Sequence, residues 1–169
     1  RIVAVNLLGV VHGTRAAAST MLADGGGEIL NVASLAGWAP TPHIAVYSAT
    51  KHGVRAFSVA AAAELRATPV RIHCVLPDGI RTSMVDVTDA RHRMSFTGSR
   101  LLEPDEVAAA GVALIGSRRI LASVPPLRGL MVRLLGIAPT LALALQRPVE
   151  RRARRNQERA AASLTGREP

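Results

Sequence analysis

The sequence is poor in aromatic residues, cysteine and lysine, and each shortage excludes something. Its 169 residues include one Trp, one Tyr and two Phe, yet 49% are apolar. The core must therefore be built from Ala, Val, Leu and Ile. A single cysteine, Cys74, rules out an internal disulfide framework, and no cysteine cluster exists for a structural zinc site. Cys74 sits in a short apolar run and reads as a small buried residue rather than a reactive thiol. His12, His43, His52, His73 and His92 show no metal-ligand spacing, so no metal is expected. The uncharged run Leu134 to Gln146 is 13 residues long, whereas a membrane span needs roughly 20. No spanning helix is expected, and the chain reads as cytoplasmic. Its length suits one domain, and its apolar content excludes a disordered chain. The first residue is Arg, which reads as a processed chain or a piece of a longer one.

Charge is unevenly spread. The net charge is +9, and the 21 basic residues are 20 Arg and one Lys, Lys51. Residues 1–117 nearly balance, at +1, whereas residues 118–169 carry eleven Arg against three Glu, or +8. Such a tail suits an anionic membrane surface or a nucleic acid. A solvated helix face in an Arg-rich protein is the simpler explanation. The basic run holds no aromatic side chain for base stacking, so no nucleic-acid partner is expected.

Residues 1–23 read as a helix, stopped by Asp24-Gly25-Gly26-Gly27. Residues 28–33 read as a short strand, 43–67 as a second helix ended by Pro69, and 70–76 as a second strand. Pro104, with Asp105 and Glu106 in the first turn, opens a third helix. Residues 120–124 suggest a third strand. Two apolar helices follow, split by Pro139, and then a basic helix from Pro148. In the polar stretch 81–100, Met84, Met94 and Phe96 suit either an apolar lid or ordinary core. The alternation predicts an α/β fold with a parallel sheet of two or three strands.

Four polar residues stand where chemistry is done. Tyr47 and Lys51, the sole Tyr and sole Lys, lie one helical turn apart and share a face. A nearby ammonium stabilises a phenolate and lowers the phenol pKa from its usual value near 10, fitting the Tyr for general acid–base work. Ser34 follows the end of a predicted strand, where α/β folds place their sites. Asn6 interrupts an apolar helix. A surface Tyr beside a helix Lys would also account for the spacing alone.

The longer string does more. Gly27-Glu28-Ile29-Leu30-Asn31-Val32, then Ser34, Ala36-Gly37 and Tyr47-Ser48-Ala49-Thr50-Lys51, strongly resembles the short-chain dehydrogenase/reductase family. Val5-Asn6-Leu7-Leu8-Gly9 resembles that family's VNxxG segment, and Leu76-Pro77-Asp78-Gly79-Ile80-Arg81-Thr82 its PGxVxT segment. The resemblance covers residues 1–118 and implies a partial Rossmann-type sheet, its last two or three strands, with residues 119–169 as a basic helical extension. It implies NAD or NADP as cofactor and hydride transfer to or from a carbonyl or secondary alcohol of lipophilic character. It makes Tyr47 the catalytic acid/base, with Lys51 lowering its pKa and holding the nicotinamide ribose. Ser34 would orient the substrate oxygen, and Asn6 would support a water leading to Lys51. Pro77, Ile80 and Thr82 would line the nicotinamide. Residues 1–23 and 43–67 resemble the pair of helices through which members form homo-oligomers.

Two departures stand out. The glycine after the family's Pro is Asp78 here. The glycine-rich TGxxxGxG turn that cradles the pyrophosphate is absent, and Gly25-Gly26-Gly27 cannot replace it because it follows a helix and precedes a strand. The chain therefore reads as the C-terminal half of such an enzyme. The rival reading is an inactive remnant serving as an interaction or membrane-surface module, motivated by the missing phosphate turn. The +8 tail beside the apolar run 137–145 raises peripheral membrane contact as an expectation.

Overall fold

The computed structural model describes residues 1–39, 41–83, 89, 97, 98 and 100–164. Met84, Met94, Phe96 and His92 lie outside the described residues. A π-helical turn, Ala4–Leu8, leads into α1 (Gly9–Ala23). Then come β1 (Gly27–Val32), a 3₁₀ turn (Leu35–Gly37) and α2 (Ala45–Glu64). β2 (Val70–Pro77), α3 (Pro104–Val112) and β3 (Leu121–Val124) complete the α/β layers. The chain ends in α4 (Pro126–Ile137), α5 (Pro139–Ala144) and α6 (Gln146–Leu164).

The three strands form one parallel sheet in the order β1-β2-β3. Gly27 to Val32 pair with Val70 to Val75, and Cys74 to Pro77 with Leu121 to Val124. β3 lies beyond residue 118, so the sheet continues into the segment 119–169. β2 is the centre, and all of its residues but Arg71 are buried, as a central parallel strand covered on both faces requires. Cys74 and Leu76 join Ala33, Leu35 and Val54 on one face, with Leu7, Val10 and Trp38 packed against them. Val75 meets Leu114 and Ala122 on the other. Cys74 is fully buried and burial pushes its thiol pKa up, which suits a structural residue and not a nucleophile.

One polar network crosses this core. Thr14 Oγ1 donates to Asn31 Oδ1 at 3.1 Å, and Asn31 Nδ2 donates to Ser58 Oγ at 3.0 Å. Ser58 in turn donates to the Val54 carbonyl at 2.7 Å. Asn31 thus ties α1, β1 and α2 together, and its buried amide is satisfied on both sides.

Pro104 stands at the start of α3, and Glu106 closes a capping box by accepting from the Glu103 N–H at 2.8 Å. The glycine run after α1 has positive φ at Gly25 (90°) and Gly26 (137°), the reversal that β1 needs. No helix among the described residues is long and apolar enough to cross a membrane, and no group of metal-ligating side chains is present among them.

Candidate active site

The site forms beyond the C-terminal ends of β1 and β2. β1 stops at Val32, and two residues later Ser34 caps the 3₁₀ turn, accepting from the Ala36 N–H at 3.2 Å. The Ser34 hydroxyl also lies 3.5 Å from the Pro77 carbonyl oxygen at the end of β2. The turn is pressed onto α2. Gly37 approaches so closely that a Cβ there would sit 2.7 Å from the Lys51 carbonyl oxygen. Ser48, on α2, fixes the same turn by donating to the Ala36 carbonyl at 2.8 Å. Ser34 is thereby set against Tyr47.

Tyr47 and Lys51 project from one face of α2, as their spacing predicts. The Lys51 ammonium sits 5.6 Å from the centroid of the Tyr47 ring and donates to the Val32 carbonyl at 3.0 Å. Both side chains are half-buried. Here the expected electrostatics are corrected. The Tyr47 pKa is raised, not lowered: burial is the larger cause, and a hydrogen-bonding interaction with Ser34 opposes it. The Lys51 charge lies toward the ring face and on the Val32 carbonyl, and burial lowers the Lys51 pKa.

Asn6 lies in the π-helical turn ahead of α1, half-buried. Such turns widen a helix locally and recur at functional sites. The next residue, Leu7, abuts Gly53 of α2, so the turn packs on the helix that bears Tyr47 and Lys51. Asn6 makes no direct hydrogen bond to Lys51. Of the three loop residues, Pro77 is brought to Ser34. Ile80 forms a parallel bridge with Leu102, and Thr82 is exposed.

Reading the sequence missed three contributors. Arg128, from α4, donates through Nε to Asp78 Oδ2 at 3.2 Å and reaches Thr97 Oγ1. Asp78 also accepts from the Gly79 N–H at 3.0 Å. Arg55, one turn beyond Lys51, stacks 4.2 Å from the centroid of Trp38, and Arg133 lies 5.1 Å from it. Trp38 donates Nε1–H to Ser123 Oγ at 3.1 Å and packs against the core. The third is Ser48. The spacing of Arg55 from Lys51 was a readable signal; nothing local pointed to Arg128.

The chain is thus a parallel α/β sheet with Ser34, Tyr47 and Lys51 gathered beyond its strand ends. The short chain dehydrogenase family profile matches residues 1–93, and the chain belongs to that family. It is 35% identical over 125 residues to 3-oxoacyl-[acyl-carrier-protein] reductase of Synechocystis sp., covering 73% of this chain and 48% of that protein. It is 37% identical over 109 residues to cyclohexanol dehydrogenase of Acinetobacter sp., covering 64% and 43%. Among solved structures, a short-chain dehydrogenase from Sphingobium yanoikuyae in complex with NADPH superposes with a TM-score of 0.64 at 26% identity, covering 83% of this chain and 54% of that one. A Burkholderia cenocepacia short chain dehydrogenase in complex with NADP shares the fold at a TM-score of 0.68 and 24% identity, covering 84% and 57%. The chain thus spans about half the length of its relatives.

Proposed function

We propose that this chain carries the proton-transfer and substrate-orienting part of a nicotinamide-dependent oxidoreductase acting on a carbonyl or secondary alcohol. One observation carries the reading: Ser34, Tyr47 and Lys51 converge beyond the ends of β1 and β2. The residues present fit one half of a nicotinamide dinucleotide. A phenol and an ammonium at the strand ends can donate to ribose hydroxyls, with Tyr47 and Lys51 as the holders and Pro77, Ile80 and Thr82 as the loop beside the ring. No residues in these 169 offer a glycine-rich pyrophosphate turn. NAD or NADP, when bound, supplies the hydride chemistry.

The side chains do the rest. Tyr47 holds its proton at neutral pH, because burial raises a pKa that already lies near 10, so its Oη is poised to give a proton to a carbonyl oxygen. In the reverse direction the phenolate would take the alcohol proton. Ser34 Oγ holds the same substrate oxygen. Lys51 orients the ribose, and Asn6 supports a water through which its proton is exchanged. The exposed aliphatic residues of the π turn, α1 and α2, among them Val5, Leu8, Val46 and Val59, support pairing of two copies through these helices.

Tyr47→Phe tests the reading. Turnover of a secondary alcohol, followed as reduced nicotinamide at constant enzyme, should fall about 10²- to 10⁴-fold, the range for a general acid–base. Near-normal turnover would sink the assignment. Calorimetric titration of the chain with NAD and NADP separates the rival: micromolar binding supports the enzyme reading, and no binding favours an interaction module.

A further inference from the structure

Helix α4 is packed inside out. Its buried side carries Gly129 and Gly136, set so tightly that a Cβ on the first would overlap Ser123 and on the second the Trp38 carbonyl. Val132 packs against the core, but most of the large aliphatic residues of α4 are exposed. Leu127, Leu130, Met131, Leu134 and Ile137 recur at helical spacing on one face, and all are more than half exposed, Ile137 at 73%. Leu141 and Leu143 of α5, and Leu145 just beyond it, are exposed as well. Single exposed apolar residues need no explanation, but eight between residues 127 and 145, five of them on one face of α4, call for one.

The neighbouring helix tells what covers it. α6 turns Ala153 and Gln157 inward. Asn156 Nδ2 donates to the Gly98 carbonyl and Gln157 Nε2 to the Asp89 carbonyl, both at 2.9 Å, which anchors the inner side. The outer side presents Arg151, Arg152, Arg154, Arg155 and Arg159, all exposed. Arg152, Arg155, Asn156 and Arg159 line a cleft of about 250 Å³. Pairing two copies through this region would bring two clusters of arginines together, which like-charge repulsion opposes. A flat anionic surface satisfies both features: its interior accepts aliphatic side chains and its headgroups accept arginine.

We propose that the outward face of α4 and α5, together with the arginines of α6, docks on an anionic phospholipid membrane. The protein lies on the bilayer with the aliphatic side chains of α4 at the headgroup boundary. An adjacent membrane would give apolar substrates a short path to the protein.

Vesicle flotation tests this with the whole chain. Vesicles of phosphatidylcholine with one third phosphatidylglycerol should carry at least about tenfold more protein than phosphatidylcholine alone, and about 0.5 M salt should weaken the binding. The triple variant Leu130→Ser, Leu134→Ser, Ile137→Ser should lose flotation. Arg151→Gln with Arg155→Gln should lose the anionic preference. Both sets change exposed residues, so thermal melting and circular dichroism should match the parent. Parent protein left unbound by anionic vesicles at low salt overturns the proposal. So does flotation of the triple variant at the parental level. Lipid-free self-association abolished by the triple variant would assign the face to a second copy and also overturn it.

Discussion

Arg128 and Asp78 form an ion pair that ties the start of α4 to the loop after β2, with Nε 3.2 Å from Oδ2. Both side chains are largely buried, at 26% and 12% exposure. This pair gives the acid after Pro77 a partner within the fold. Asp78 holds the turn itself through the Gly79 N–H and turns its other oxygen to Arg128. Removing either partner leaves a charge without its mate. Arg128→Ala and Asp78→Ala should each lower stability by about 1–3 kcal/mol. The double variant should lose less than the sum. Urea unfolding of the four proteins measures the coupling, and additive losses would show that the pair contributes nothing.

Tyr47 is the only tyrosine, so its ionisation can be read directly from ultraviolet absorbance as pH rises. Burial raises its pKa and Ser34 opposes the rise. The midpoint should lie above the ordinary value near 10. Ser34→Ala should move it further up. The stability consequence follows in sign. An acid whose folded pKa is raised contributes stability below its unfolded value and loses it as pH climbs through the folded value. The parent should therefore lose stability above about pH 10, and Tyr47→Phe should remove that part of the loss. A midpoint below 10, or one unmoved by Ser34→Ala, would contradict the geometry.

Gly37 is required by contact and not by backbone angle. A Cβ would lie 2.7 Å from the Lys51 carbonyl oxygen, which belongs to helix backbone and cannot swing away. Gly37→Ala should push the 3₁₀ turn off α2 and carry Ser34 away from Tyr47. The expected cost is about 1–3 kcal/mol, typical of overpacking. The Tyr47 titration supplies a second readout, because a displaced Ser34 no longer opposes the rise. Unchanged melting and an unchanged midpoint would show that the turn tolerates the methyl.

Much of this arrangement was legible in the sequence, and for physical reasons. β2 is legible because the central strand of a parallel sheet is buried on both faces, whereas the edge strand β1 is legible from Ile29, Leu30 and Val32 after the glycine run. Tyr47 and Lys51 share a face because helical spacing alone decides it. The π turn at Asn6 left no local trace, since it depends on packing against α2. Arg128 was invisible for the same reason: it meets Asp78 across fifty residues, through the fold. The sign of the Tyr47 shift was misread because the neighbouring ammonium was weighed and burial was not. The sequence predicts a basic helix from Pro148, and α6 begins at Gln146. A proline in the first turn lacks only an N–H that has no helical partner.

The end of the sheet away from Ser34 is held by a carboxylate, and this sets the response to acid. Glu28, in β1, accepts from the Gly116 N–H at 2.7 Å, from His73 Nε2 at 3.0 Å and from Arg71 at 3.4 Å. The Gly116 amide is the largest cause of a lowered Glu28 pKa. In α3, Arg100 and the Glu103 N–H hold Glu106 at about 2. A depressed carboxylate contributes stability above its unfolded pKa, near 4.3, and loses it as pH falls through the folded value. Stability should thus be level above about pH 5 and decline toward pH 2. Glu28→Gln cannot accept all three donors as an anion and should flatten part of that decline while lowering stability at pH 7. Urea midpoints measured from pH 7 to pH 2.5 for parent and variant decide the matter. Parallel curves of equal midpoint would mean that Glu28 does not anchor the sheet.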